Sequence, residues 1–261
     1  MNIPEINCSK TMENITEFIQ NKVSEANANG LVVGLSGGID STLAAYLACE
    51  AVSKDNVFGL VMPSTTTPTE DKLHGIDIAQ RLGIEYKEIA IDSILNEYLE
   101  LSQLNDDELA IGNLKARIRM SIIYYFANVK NYIVCGTGNK SEILIGYFTK
   151  HGDGACDMEP IGDLYKTDVF NLSKFLDIPK EIIEKPPRAG LWENQTDEDE
   201  IGMTYNLLDQ ILYLYYEKEM KNDEIAEKLD ISVDDVDMII TKIKRSEHKS
   251  KVPESPQKTI L

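Results

Sequence analysis

Apolar positions in the first half of the chain follow two alternating rhythms. Over residues 14–28 they recur at helical spacing (Ile15, Phe18, Ile19, Val23) and stop at Asn29-Gly30, a pair suited to closing a helix. Leu31-Val32-Val33-Gly34-Leu35 is a short unbroken apolar run, as a strand buried on both faces requires. A second helix opens near Asp40 and carries Leu43, Ala44, Leu47 and Ala48. The rhythm then repeats: strand over 57–62, ended by Pro63; helix over 69–82; strand over 84–91; at least one long helix within 105–129; and a fourth strand at Tyr132-Ile133-Val134-Cys135. Strands alternating with helices build βαβ units. The expected fold is therefore α/β, a doubly wound parallel sheet with helices on both faces. Ligands in such folds sit beyond the carboxyl ends of strands, here the loops after Leu35, Met62, Ile91 and Cys135.

The pattern changes beyond Cys135. Residues 146–162 hold Gly146, Gly152, Gly154 and Gly162 and read as a long ordered loop or a lid. Lys185-Pro186-Pro187-Arg188-Ala189-Gly190 cannot be regular structure. From about 197 to 249 the pattern predicts three helices, a C-terminal helical extension of a single 1–261 domain, followed by a polar tail over 250–261. In the long helix Leu114, Ile118 and Ile122 should pack inward, with Arg119 the more solvated of its two arginines, Arg117 and Arg119. The stripe Ile118, Ile122, Tyr125, Phe126 suits either core or a subunit interface.

Composition narrows the partners. The 261 residues carry 26 Lys plus Arg against 44 Asp plus Glu, a net charge of −18. That charge argues against nucleic acid or an anionic membrane as partner. Residues 222–244 resemble a helix-turn-helix, but the end that would read bases carries Asp234, Asp235 and Asp237, which repel phosphate. No apolar run is long enough to span a bilayer, and Met1 to Lys10 lacks the features of a secretory signal. Cys8, Cys49, Cys135 and Cys156 are scattered, which suits reduced thiols in a cytoplasmic protein.

Candidate chemistry concentrates in Ser36-Gly37-Gly38-Ile39-Asp40-Ser41-Thr42, between the first strand and its helix. Glycines let backbone approach an anion, and the helix N-terminus offers unpaired N–H groups. Asp40 could hold a metal ion shared with phosphates. Neither a Walker loop nor G-x-G-x-x-G is present. The string S-G-G-x-D-S resembles instead the pyrophosphate-binding loop of the N-type ATP pyrophosphatases, which split ATP between the α and β phosphates. Further motifs resemble the ammonia-dependent NAD synthetases of that class. They are Asn113 to Arg119 (N-x-x-A-R-x-R), Gly136 to Glu142 (G-T-x-N-x-S-E), Gly146 to Asp157 (G-Y-x-T-x-x-G-D-x-x-x-D) and Leu164-Tyr165-Lys166 (L-x-K). The segments 185–192 and 197–202 and the pair His248-Lys249 fit as well.

The resemblance implies attack of the nicotinate carboxylate of deamido-NAD on ATP, giving an adenylate and pyrophosphate, followed by displacement of AMP by ammonia. By resemblance Gly34, Leu35, Ser36, Gly37, Gly38, Ile39, Asp40, Ser41, Thr137, Lys166 and Arg188 contact ATP. Asp40 and Glu142 bind Mg²⁺, and Arg117, Lys150, Asp157, His248 and Lys249 contact deamido-NAD. Lys166 suits a charge clamp on phosphate, and Asp153 is the expected proton acceptor for ammonium. Arg188 departs from the family, which usually has Ser or Thr there; a guanidinium brings permanent charge and a bulky fork in place of a hydroxyl, so Arg188 either binds a phosphate directly or points away. The chain length leaves no room for an amidase domain, so free ammonia is the expected nitrogen source unless a separate subunit supplies it. The family is homodimeric, and a homodimer is expected. The alternatives are a GMP synthetase-like or a tRNA-modifying ATP pyrophosphatase; scattered cysteines and the acidic charge weigh against the second.

Overall fold

A computed structural model describes residues 3–102, 107–188, 190, 192 and 196–256 of the chain. Four parallel strands, β1 (Leu31–Gly34), β2 (Val57–Val61), β3 (Glu85–Glu88) and β4 (Ile133–Cys135), form one sheet in the order β3-β2-β1-β4. Val33 pairs with Gly59 on one side and Cys135 on the other. Alternate side chains of each buried strand enter different cores. Leu31, Val33, Val57 and Val61 pack with α1 (Cys8–Glu25), α2 (Ile39–Val52) and α3 (Thr69–Leu82). Val32, Phe58, Leu60 and Val134 pack with α4 (Asp92–Ser102) and α5 (Glu108–Lys130). Successive side chains of a strand point to opposite faces, so continuous apolar runs are what two covered faces demand.

The connections place the ligand crevice. Crossovers through α2 and α3 step the chain from β1 to β2 to β3 along one face. The chain then returns over the other face through α4 and α5 and lays β4 on the far side of β1. Strand order reverses between β1 and β4, so the loops after them diverge and leave a crevice at their carboxyl ends.

After β4 come α6 (Lys140–Ile145), α7 (Lys166–Phe175) and α8 (Lys180–Ile183), with α7 packed on α1 and α2. A helical lobe follows: α9 (Asp197–Ile201), α10 (Tyr205–Tyr216), α11 (Asn222–Leu229) and α12 (Val233–Ser246). Its core includes Leu208, Ile211, Ile225, Val236, Ile239 and Ile240, and α6 docks against α10 and α12. The aspartates that spoil α12 for DNA are at home here. Asp234 and Asp235 lie in its first turn behind the Ser232 cap, where the helix dipole favours negative charge.

Several expectations shift. The first helix starts at Cys8 because Asn7 Oδ1 accepts the Lys10 N–H at 3.0 Å. The strand expected over 84–91 shrinks to Glu85–Glu88, a largely exposed polar edge, and α4 follows it unannounced. The start expected at 105 lies outside the described residues; α5 is capped by Asp107. The three expected C-terminal helices are joined by α9. The glycine-rich 146–162 segment is an ordered loop, tied to the sheet by a parallel bridge between Cys135 and Met158. Arg119 is not solvated: it is half-buried and its Nε donates to the Met62 carbonyl at 2.9 Å, whereas Arg117 is exposed. Two positions along a helix are about 200° apart, so packing the Ile118 face inward does not decide which flanking arginine finds a buried acceptor.

Candidate active site

Three charged side chains from three loops meet in the crevice. Asp40 lies in the first turn of α2, Glu142 in the first turn of α6, and Lys166 opens α7. Lys166 Nζ stands 2.6 Å from Asp40 Oδ2 and 3.2 Å from Glu142 Oε1. The lysine is 1% exposed, and its ammonium lies 4.9 Å from the centre of the Tyr205 ring. Burial pulls the Lys166 pKa down, but Asp40, Glu142 and Asp197 together hold it above its ordinary value. Burial pushes Glu142 up, against the attraction of Lys166. The short Lys166–Asp40 contact requires a charged ammonium, so a charged Lys166 sets the electrostatics of the site.

Neighbouring groups fix this trio. Asn139, fully buried, donates from Nδ2 to Asp40 Oδ1 at 2.9 Å and caps α6 with its own Oδ1, joined by Glu142 in a reciprocal capping box. Tyr205 donates to Asp197 at 3.1 Å and to Glu142 at 3.4 Å. Asp209, also fully buried, reaches from α10 to the residues beside Glu142 and Lys166. It accepts from Ser141 Oγ at 2.5 Å and from the Thr167 N–H at 2.8 Å.

The loop after β1 is built to meet an anion. Gly38 caps α2 without a side-chain hydrogen bond, so the helix N-terminus is open. Ser36 and Ser41 hydroxyls lie 2.9 Å apart, and Ser36 Oγ accepts the Gly38 N–H at 3.1 Å. Gly37 has φ +78°, and a Cβ there would lie 2.0 Å from the Asp71 carbonyl oxygen. Asp71, buried on α3, receives a bidentate pair from Arg188 (Nη2 2.7 Å, Nε 3.0 Å) and an ion pair from Lys185 at 2.9 Å; Lys185 also donates to the Gly37 carbonyl. Burial raises the Asp71 pKa, but the two cations prevail and hold it below the usual carboxylate value. Arg188 thus stands beside the loop with its fork turned onto Asp71.

A second group forms around the 146–154 loop and the C-terminal end of α12. Arg117 Nε donates to the Lys150 carbonyl at 3.3 Å, Lys150 Nζ to the His248 carbonyl at 2.8 Å, and Lys249 Nζ to the carbonyls of Gly146 and Phe148 at 2.8 and 2.9 Å. Asp157 is anchored apart from them, accepting the Val134 N–H at 2.7 Å and the Tyr124 hydroxyl at 3.3 Å. Between the two groups is a cavity of about 210 Å³ whose walls include Thr137, Glu142, Tyr147, Asp153, Cys156 and Glu159. Asp153 accepts the Thr149 N–H at 3.0 Å; although the residue keeps solvent-exposed surface, crowding of its carboxyl by protein raises its pKa.

Sequence reasoning anticipated Asp40, Glu142 and Lys166 and missed their supports. Asn139 and Asp197 lay inside motif segments and were legible there. Lys185 lay inside the 185–192 segment, whereas Asp71, Asp209, Tyr205 and Glu159 carried no local signal. Among the described residues no group of three or more His, Cys, Asp or Glu is arranged to hold a metal. Asp40 and Glu142 nevertheless converge on one cation, the Lys166 ammonium. Two carboxylate oxygens with phosphate oxygens beside them make a hard-ligand set suited to Mg²⁺.

Comparison with known proteins adds an independent line. Residues 11–253 match the NAD synthase family. The chain is 52% identical over 248 residues to the NH(3)-dependent NAD(+) synthetase of Methanocaldococcus jannaschii, covering 93% of this chain and 95% of that protein. It is 46% identical to the same enzyme of Thermococcus sibiricus, covering 95% and 97%. Among solved structures it is similar to an NMN synthetase from Francisella tularensis (TM-score 0.87, 35% identity, 97% and 99% covered). It is also similar to an NH3-dependent NAD synthetase from Campylobacter jejuni (TM-score 0.83, 34% identity, 97% and 100% covered).

Proposed function

The chain belongs to the NAD synthase family, and on that premise we propose how its residues divide the work of amidating deamido-NAD with ammonia and ATP. The products are NAD, AMP and pyrophosphate, through a nicotinate adenylate. The observation that carries this reading is the meeting of Asp40, Glu142 and Lys166 beside the open N-terminus of α2. ATP lies along Gly34, Leu35, Ser36, Gly37, Gly38, Ile39, Asp40 and Ser41, with Thr137 and Arg188 at its sides. Asp40 and Glu142 would hold Mg²⁺, which when bound supplies positive charge for the phosphates. Lys166 exchanges its carboxylate partners for phosphate oxygen, so charge developing as pyrophosphate departs meets a desolvated ammonium. Deamido-NAD lies across Arg117, Lys150, Asp157, His248 and Lys249, and Asp153 is positioned to accept a proton from the attacking nitrogen.

The reading includes a cytoplasmic homodimer. None of the helices among the described residues is long and apolar enough to cross a membrane. The similarity to an NMN synthetase makes nicotinic acid mononucleotide the competing acceptor, so the decisive assay offers both. Protein, ATP, Mg²⁺ and ammonium should convert deamido-NAD to NAD with equimolar AMP and pyrophosphate, and the mononucleotide poorly. ADP as product, or preference for the mononucleotide, overturns the proposal. Asp40→Ala and Glu142→Ala should each abolish turnover without unfolding the protein, as read by circular dichroism.

A further inference from the structure

Glu159 sits in the loop between α6 and α7. Its Oε2 accepts the Gly138 N–H at 3.0 Å and its Oε1 accepts the Cys156 thiol at 3.1 Å. The surroundings are shaped to it. A Cβ on Gly136 would lie 2.3 Å from Glu159 Oε2, one on Gly138 3.2 Å from Oε1, and one on Gly162 2.9 Å from its Cβ. Two glycines therefore clear space for the carboxylate, and a third clears space for the Cβ that carries it. That carboxylate forms part of the wall of the 210 Å³ cavity, together with Thr137, Glu142 and Asp153. No lysine or arginine lines the cavity among the described residues. Of its three carboxylates Glu142 is paired with Lys166 at 3.2 Å and Asp153 is drawn to Lys249, whereas no lysine or arginine among the described residues pairs with Glu159, so a small positive ion entering the cavity suits that carboxylate.

The charged neighbours can be named from each side. Cys156 and Asp153 face Glu159 from its own loop, with Lys249 behind Asp153; Cys135 faces it from β4, and Glu142, paired with Lys166, from α6 across the cavity. Both thiols are pushed well above neutrality by burial and by Glu159, so Cys156 remains a donor. Burial raises Glu159 to about 7, where a carboxylate can both accept and release a proton near neutral pH.

We propose that Glu159 is the residue that draws an ammonium ion into this cavity and removes its first proton, beside the carbon it will attack. The inference rests on the free-ammonia reading above. The step balances: NH₄⁺ gives a proton to the Glu159 carboxylate, leaving neutral NH₃ and a carboxylic acid. The nitrogen lone pair then bonds to the carbonyl carbon of the adenylate, AMP leaves with the electron pair of the broken C–O bond, and the second proton passes to Asp153.

Glu159→Gln tests it. At pH 7 its kcat/KM for total ammonium should fall about 100-fold, the scale of general-base catalysis, while KM for ATP and for deamido-NAD changes less than twofold. The defect should shrink as pH rises toward the pKa of ammonium, because the solution then supplies NH₃ directly. Hydroxylamine, mostly uncharged at neutral pH, should be used by variant and wild type at similar rates. A defect equal at every pH and with hydroxylamine is a structural effect and overturns the proposal, as does wild-type behaviour at pH 7. If Glu159→Gln does not fold, Glu159→Asp takes its place under the same criteria: a defect that narrows with pH supports the role, and one independent of pH refutes it. If the wild type itself makes no NAD from ammonium, the broader reading fails instead.

Discussion

Lys166 holds its ammonium where a metal would otherwise be expected to sit. Asp40 and Glu142 are only 19% and 16% exposed, and each depends on that one cation. Removing one member of a buried charge group leaves the others uncompensated, at about 3–5 kcal/mol. Lys166→Met should therefore lower stability by about that amount in urea unfolding, and Mg²⁺ without ATP should restore part of it. An unfolding midpoint indifferent to Mg²⁺ would exclude a cation site at Asp40 and Glu142. Glu159 has the opposite sign. Its folded pKa of about 7 exceeds the unfolded value of about 4.3, so the folded state binds the proton more tightly. Keeping the carboxylate ionised then costs stability as pH rises, fully above about 7. Glu159→Gln should be more stable than wild type at pH 8 by on the order of 1–3 kcal/mol, and the gap should narrow steadily toward pH 5. Thermal melts across that range decide it; a constant gap contradicts the burial of this carboxylate.

Helix ends, more than helix bodies, build the site. The first turns of α2, α6 and α7 bring Asp40, Glu142 and Lys166 together, and α10 braces two of those turns through Asp209. Asp209→Ala would leave the Ser141 hydroxyl and the Thr167 N–H without their acceptor, at about 2–4 kcal/mol. Because these groups adjoin Glu142 and Lys166, kcat should drop as well; destabilisation with unchanged kcat would mean that α10 supports the fold and not the site. The loop after β1 is constrained differently. Gly37→Ala demands φ +78° from an alanine and places its Cβ 2.0 Å from the Asp71 oxygen. Strain of roughly 1–3 kcal/mol must be relieved by separating the loop from α3, so KM for ATP should rise. An unchanged KM would show that the loop adapts without moving its anion-binding groups.

At the scale of the whole molecule, the net charge of −18 conceals a local balance. Basic side chains gather where anionic substrates are proposed to lie: Lys166 at the crevice, Lys185 and Arg188 on Asp71, and Arg117, Lys150 and Lys249 at the 146–154 loop. Tyr98 and Leu101 of α4 and Leu109, Tyr125 and Val129 of α5 are exposed apolar residues on consecutive helices. Apolar surface of this kind suits the proposed homodimer. Sedimentation should find a dimer for the wild type and a monomer for the Tyr125→Glu, Val129→Glu double variant; a dimer that survives both changes places the interface elsewhere.

The chain order alone determined the alternation of strands and helices, because hydrophobic period is a local property, and the glycine-rich loop around Asp40; Glu142 and Lys166 stood out only through the family resemblance of their motifs. Other features were closed to it. Lys166 meets Asp40 across 126 positions and Arg188 meets Asp71 across 117, and no spacing rule connects residues so distant. The bounds of the polar edge strand β3 and the existence of the helix α4 escaped for a related reason: their patterns are weak, and packing against β2 and α5 decides them. The helical position of Arg119 points to solvent, and only the tertiary contact with the Met62 carbonyl holds it at the half-buried position it takes. What the tertiary structure alone decided was burial. Burial made Glu159 a near-neutral acid and locked Lys166 between carboxylates, because the strength of each charge interaction is set by how much water the fold removes around it.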